Sequence, residues 1–247
     1  MKIYGLIGRS LIHSFSEKYF SEKFRKENIS DCEYRNFEIK NFEKEISFLK
    51  KTPQIKGLNV TIPYKRDVFS FLDEISSECK AINACNCIKP ADGKWIGFNT
   101  DAVGFEKSFL PHLKPHQKKA LILGTGGASN AVAFVLEKLN IDYIKVSRNT
   151  SGNSKVITYN DITPEIFKLY NIVINTTPAG TFPKADECPD LPYQLITGQY
   201  YFFDLVYNPS KTLFLSRAQQ YGATICNGEN MLSIQAEESW KIWNDLK

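Results

Sequence analysis

Histidine is scarce in this chain: only His13, His112 and His116 occur, and their spacing offers no metal-binding set. His13 is read as loop structure, and no metal is expected. Six cysteines, at 32, 79, 85, 87, 188 and 226, include no CxxC pair and no regular framework. That pattern argues against a disulfide-stapled secreted protein and fits a reduced, cytoplasmic one. No apolar run approaches the length that spans a bilayer, and the opening Met1-Lys2-Ile3-Tyr4-Gly5-Leu6-Ile7-Gly8 has no charged lead before a long apolar core. A soluble protein with no membrane partner is the expectation. There is also no block of one charge sign, because 31 basic and 27 acidic residues are interspersed to a net +4. Nucleic acid is therefore not an implied partner, whereas a mildly positive cleft would suit an anionic small molecule. Internal repeats and low-complexity tracts are missing.

What is present is a hydrophobic fraction of 43% over 247 residues, enough for two modest domains. Residues 2–8 read as an apolar strand ending at Gly8, and residues 16–28 carry Tyr19, Phe20 and Phe24 at helical spacing. Phe42, Ile46 and Leu49 predict a second helix, residues 55–60 a second strand, and Val68, Phe69 and Leu72 a helix after the Pro63 turn. A polar, proline-containing stretch over 111–119 precedes Ala120-Leu121-Ile122-Leu123, where a new unit begins. Ala131, Val132, Phe134, Val135 and Leu139 then form an apolar helical face. Strands follow at 143–146, 172–175 and 200–205, then a helix through Leu213 and Ala218. A last helix over 231–243 carries Ile234, Trp240, Ile242 and Trp243, and so must pack against something. Alternating strands and helices predict an α/β fold with mostly parallel sheet.

Two sets of residues carry chemistry. Gly124-Thr125-Gly126-Gly127-Ala128 follows an apolar strand and opens a helix, the setting in which glycines let a backbone approach a pyrophosphate. The same residues would also serve as a tight turn that binds nothing. About twenty residues on, where an NAD site usually places an acid, the chain has Ser147-Arg148-Asn149-Thr150. An arginine there favours the 2′-phosphate of NADP, because guanidinium offers several planar donors to phosphate; a solvated surface arginine is the plainer alternative. Upstream, Lys65 in Asn59-Val60-Thr61-Ile62-Pro63-Tyr64-Lys65 and Asp101 in Asn99-Thr100-Asp101 stand on two candidate loops. A lysine beside a carboxylate can protonate a developing alkoxide during ketone reduction, or can be an ordinary ion pair.

These motifs, with Ser14-Phe15-Ser16, Asn86, Gly97-Phe98-Asn99, Gly104-Phe105, Asn175-Thr176-Thr177-Pro178-Ala179-Gly180, Asp204-Leu205-Val206-Tyr207-Asn208-Pro209, Gly228, Met231-Leu232 and Gln235, make the chain resemble the shikimate dehydrogenase family over almost its whole length. The resemblance implies reversible NADPH-dependent reduction of 3-dehydroshikimate to shikimate, on the route to aromatic amino acids. It implies an N-terminal αβ substrate domain over 1–102, a Rossmann-type NADP domain over 103–226, and a C-terminal helix over 227–247 packed back on the substrate domain. Lys65 would be the acid/base residue and Asp101 its partner. Ser14, Ser16, Asn59, Thr61, Asn86, Asp101, Tyr207 and Gln235 would bind the substrate. Gly124, Thr125, Gly126, Gly127, Ala128, Ser147, Arg148, Asn149, Thr176, Leu205 and Gly228 would bind the cofactor. Departures from the family's pattern are Glu17-Lys18-Tyr19-Phe20 after Ser16, Cys85 and Cys87 flanking Asn86, and Ser147 and Asn149 flanking Arg148. The alternatives are a quinate or dual quinate/shikimate dehydrogenase, or a non-catalytic protein that senses such metabolites. Either a monomer or a homodimer is compatible.

Overall fold

The computed structural model of the chain describes residues 1–11, 14–149 and 154–246; His13 and Thr150, both named above, lie outside the described residues. The chain separates into two compact units, Met1–Val103 with Leu232–Lys247, and Gly104–Met231. Both divisions fall within helices, whereas the expected ones followed residues 102 and 226.

The first unit contains strands β1 (Lys2–Gly8), β2 (Cys32–Glu38), β3 (Ile55–Val60), β4 (Glu74–Ile75), β5 (Cys87–Ala91) and β6 (Lys94–Phe98), with helices α1 (Phe15–Lys26), α2 (Phe42–Lys50) and α3 (Ser77–Ile82). They form one sheet in the order β2-β1-β3-β5-β6-β4. β1 runs parallel to β2 and β3, but β5 is antiparallel to both β3 and β6. This sheet is therefore more mixed than the alternation of elements predicted, because Asp92 and Gly93 at φ 50 and 76 turn β5 straight back as β6. The predicted helix after Pro63 is only a single 3-10 segment, Asp67–Phe71.

The pleat of β1 sorts its side chains to two cores. Ile3 and Ile7 join Ile39, Ile46, Leu49 and Val68 on one face. Tyr4 and Leu6 join Phe20, Phe24, Tyr34, Trp240 and Trp243 on the other. The two tryptophans belong to the final helix, α8 (Glu229–Trp243, with the intervening helices given below), and Trp243 Nε1 donates to the Ile88 carbonyl at 3.0 Å. Each large apolar side chain so buried contributes about 1.5–3 kcal/mol, which is what anchors the chain's last turns on β1 and β3.

The second unit is built on β7 (Lys119–Leu123), β8 (Asp142–Ser147), β9 (Val156–Thr158), β10 (Ile172–Asn175), β11 (Tyr201–Asp204) and β12 (Thr224–Cys226). Its helices are α4 (Asp101–Phe109), which begins in the first unit, α5 (Gly127–Lys138), α6 (Pro164–Leu169) and α7 (Leu213–Gln220). All strand pairings are parallel and the order is β12-β11-β10-β7-β8-β9. The order reverses between β7 and β10, which is the doubly wound Rossmann arrangement with its switch point at the end of β7. On one face of β11, Tyr201 and Phe203 pack on Phe109 and Phe105 with ring centroids 5.1 Å apart in each pair; on the other, Phe202 packs on Phe214 at 5.0 Å.

Gly57 in β3 has no room for a side chain, since a Cβ would fall inside the Trp243 indole. Gly57→Ala should destabilise the first unit by about 1–3 kcal/mol through overpacking. Denaturant unfolding followed by tryptophan fluorescence measures it; an unchanged midpoint would mean that α8 is not held there.

Candidate active site

Asp101 is the first residue of α4, where the unpaired N–H groups of a helix start favour a carboxylate. Asn99 prepares that start: its Oδ1 accepts from the Ala102 N–H at 3.1 Å while its Nδ2 donates to the Ala84 carbonyl at 2.7 Å. Lys65 lies in the turn after β3, fixed by its carbonyl, which accepts from the Cys85 N–H at 2.8 Å. Lys65 Nζ then donates to Asp101 Oδ2 at 2.5 Å, with side-chain exposures of 16% and 11%. The other carboxylate oxygen, Oδ1, accepts from Asn86 Nδ2 at 2.9 Å. Asn86 is itself held by the Thr100 N–H, which donates to its Oδ1 at 2.7 Å, and by its own donation to Thr100 Oγ1 at 3.0 Å. A pair so placed costs desolvation on both charges, and these bonds are what offset it.

Of the other predicted substrate residues, Asn59 and Gln235 join this cluster. Asn59 bonds to the Asn86 carbonyl at 3.1 Å and to Ser239 at 2.9 Å, and Gln235 Oε1 lies 3.5 Å from Thr100 Oγ1. Ser14 caps α1, accepting from the Glu17 N–H at 3.3 Å, and Ser16 is buried beside the Tyr34 phenol, which burial holds well above its ordinary pKa. Thr61 is half-buried at the end of β3, its N–H donating to the Ile7 carbonyl at 2.8 Å. Tyr207 belongs instead to the second unit, where burial raises its phenol. Thr100, Ser239 and Tyr34 are participants that the sequence reading gave no role. Ser239 stands one helical turn beyond Gln235, so it was within reach of an i, i+4 argument.

In the second unit the glycine loop closes β7 at the switch point. Gly124 sits at φ +112, its N–H donates to the Val146 carbonyl at 2.8 Å, and a Cβ there would lie 2.7 Å from Thr176 Oγ1. Only glycine serves that backbone. Thr176 Oγ1 donates to the Leu123 carbonyl at 2.6 Å, tying the end of β10 to that of β7. Thr125 and Gly126 are exposed, and Gly127 and Ala128 half-buried. Gly126 caps α5 without any side-chain hydrogen bond, and nothing lies within 4 Å of where its Cβ would stand. An open, uncapped helix start beside exposed glycine backbone fits a diphosphate. Ser147 ends β8, and the exposed Arg148 and Asn149 follow it. Leu205 and Gly228 meet as backbone, since a Cβ on Gly228 would strike the Leu205 carbonyl, and the Gly228 N–H donates to Val206 at 3.2 Å. Among the described residues no cluster of three His, Cys, Asp or Glu could hold a metal, and no helix is long and apolar enough to cross a membrane.

A Rossmann sheet with an open glycine loop at its switch point, in one chain with a part-buried lysine-carboxylate pair, defines an oxidoreductase of the dinucleotide-dependent class. Residues 6–88 match the family described as shikimate dehydrogenase substrate binding domain. The chain is 35% identical over 263 aligned residues to the shikimate dehydrogenase (NADP(+)) of Caldicellulosiruptor saccharolyticus, covering 100% of this chain and 93% of that one. It belongs to the shikimate dehydrogenase family. Among solved structures it is similar to a chorismate mutase/shikimate 5-dehydrogenase fusion protein from Clostridium acetobutylicum, at TM-score 0.88 and 37% identity, covering 100% and 92% of the two chains. The shikimate 5-dehydrogenase of Thermus thermophilus in complex with NADP(H) and shikimate matches at TM-score 0.85 and 25% identity, covering 100% and 94% of the two chains.

Asp204, at the end of β11, is buried and accepts from Thr212 Oγ1 at 2.6 Å, Asn175 Nδ2 at 3.0 Å and the Val206 N–H at 3.0 Å. Burial nevertheless outweighs these donors and lifts its pKa from 3.8 to about 6. The native state thus holds this proton more tightly than the unfolded chain, so its contribution is full below the unfolded pKa and is lost as pH rises through about 6. Asp204→Asn should remove that slope, gaining about 3 kcal/mol relative to the parent between about pH 4 and 7. Urea unfolding at several pH values checks it; a constant difference between the two proteins would contradict it.

Proposed function

We propose that this chain catalyses the reversible NADPH-dependent reduction of 3-dehydroshikimate to shikimate, a step toward chorismate and the aromatic amino acids. The observation that carries this reading is the part-buried Lys65–Asp101 pair, locked from behind by Asn86 and Thr100. A ketone that accepts hydride becomes an alkoxide, which needs one proton at its oxygen. Lys65 Nζ supplies that proton and is aimed by Asp101; in the oxidative direction the amine, its proton given up, takes the proton from the substrate hydroxyl. A merely structural ion pair would not require a rigid orienting amide on the second carboxylate oxygen.

Ser14, Ser16, Asn59, Thr61, Asn86, Asp101, Tyr207 and Gln235 are proposed to bind the substrate. Hydroxyl and amide groups of this kind suit a small polyhydroxylated acid, which offers many hydrogen-bond sites and little apolar area. NADPH, when bound, supplies the hydride. The backbone of Gly124, Thr125, Gly126, Gly127 and Ala128 would hold its diphosphate; Thr176, Leu205 and Gly228 would line the site; and Ser147, Arg148 and Asn149 would take the 2′-phosphate ribose. The family named in the relatives acts with NADP(+), and no acid follows β8 here to favour NAD. We place the protein in the cytoplasm, acting on small molecules rather than on nucleic acid or membranes.

Lys65→Ala should lower kcat by about two to four orders of magnitude with less than about a threefold change in the KM for shikimate, as expected for loss of a proton donor used in the transition state. A loss carried by KM alone would remove the acid/base role. Arg148→Ala should raise the KM for NADPH about tenfold and leave that for NADH nearly unchanged. Equal responses of the two cofactors would show that Arg148 does not select between them.

A further inference from the structure

We infer that Ser239 is a positioning residue for this reaction: its hydroxyl draws the Thr100 hydroxyl proton away from Asn86 and so supports the hydrogen bonds that hold Asn86 and, through Asn86, the Asp101 carboxylate. The inference rests on the acid/base reading of Lys65 and Asp101. Ser239 lies on α8, fully buried, and its polar neighbours are the Gln235 carbonyl at 2.9 Å, Asn59 Nδ2 at 2.9 Å, Thr100 Oγ1 at 3.2 Å and the Cys87 thiol.

The donors and acceptors around Ser239 fit one consistent set of directions. The Gln235 carbonyl can only accept, so the single Ser239 proton goes to it. Asn59 Nδ2 can only donate, and it fills one Ser239 lone pair. The remaining lone pair then accepts the Thr100 hydroxyl proton. With its proton turned to Ser239, Thr100 Oγ1 presents lone pairs to Asn86 and accepts from its Nδ2 at 3.0 Å. Asn86 Oδ1 meanwhile accepts from the Thr100 N–H. Its amide is therefore fixed with nitrogen toward Asp101 Oδ1, and the carboxylate is left to present Oδ2 to Lys65. The Thr100 N–H and the Asp101 carboxylate set which way the Asn86 amide faces, and the serine adds the acceptor that draws the Thr100 hydroxyl proton away from Asn86.

Asn59 takes a place in the same device. Its two N–H donors are used by the Asn86 carbonyl and Ser239, and its Oδ1 accepts from the Tyr34 hydroxyl at 2.9 Å. Buried and with both donors committed, it supports Asn86 from behind. Replacing Ser239 by alanine would leave the Asn59 amide and the Thr100 hydroxyl short of an acceptor. The Thr100 proton could then turn to Asn86 Oδ1, 3.4 Å away, or to Gln235 Oε1 at 3.5 Å. Either move loosens the orientation of Asn86 without touching Lys65.

The test is steady-state shikimate oxidation by Ser239→Ala, Thr100→Val and the double variant, each first shown to be folded by thermal unfolding. Ser239→Ala should lower kcat about tenfold while the KM for shikimate stays within about threefold, and it should cost less than about twofold more in the Thr100→Val background. A folded Ser239→Ala with kcat within about twofold of the parent, a loss carried by KM alone, or losses that simply multiply in the double variant would overturn the inference. If Ser239→Ala does not fold, Ser239→Cys is read by the same criteria. Lys65→Ala measured alongside separates the two claims: turnover retained there removes the acid/base reading, whereas an inactive Lys65→Ala beside an unaffected Ser239→Ala removes only this one.

Discussion

The Lys65–Asp101 ion pair is the constraint around which the first unit is arranged. Two opposite charges buried together do not stabilise a protein of themselves, because desolvation offsets much of their attraction. Here the cost is met locally. The carboxylate opens α4, its second oxygen takes an Asn86 N–H, and Asn99 caps the same helix start. The lysine reaches it from a turn pinned by the Cys85 N–H. Three segments distant in sequence, around 59–65, 84–86 and 99–101, are thus obliged to meet, and α8 closes the arrangement through Ser239 and Gln235.

The packing beneath is what makes such precision affordable. Trp240 and Trp243 seat α8 on Tyr4 and Phe20, with ring centroids 5.1 to 6.2 Å apart, so Ser239 is carried on a helix that has an apolar reason to be there. Polar groups in a dry interior are fixed only if every donor has an acceptor, and the Tyr34, Asn59, Asn86, Thr100 and Ser239 set satisfies that condition. In the second unit the demand is of the opposite kind. There the glycine loop leaves backbone donors exposed, and rigidity comes from Thr176 bonded to the Leu123 carbonyl and from the Gly124 N–H bonded to the Val146 carbonyl rather than from a side-chain cap.

Strands with continuous apolar runs were legible in the sequence: residues 2–8, 55–60 and 172–175 are β1, β3 and β10. β4, β9 and β12 are two or three residues long, too short for any periodicity to register. The β5–β6 hairpin carried a readable turn in Asp92-Gly93, but Lys89 and Pro90 disguise β5 as a loop. At the site, Lys65 and Asp101 stood out through their motifs, and their meeting at 2.5 Å is a property of the fold. The meeting of Thr100 with Ser239 could not be read from the sequence for a physical reason: a serine 139 positions away becomes a partner only when α8 folds back.

The most direct test of the central claim follows absorbance of the reduced cofactor while the purified chain oxidises shikimate with NADP, beside parallel reactions with NAD or with quinate. Rapid formation of NADPH from shikimate, with little from quinate and slower reduction of NAD, is the result predicted. No reduction of either cofactor by shikimate, or turnover confined to quinate with NAD, would contradict it.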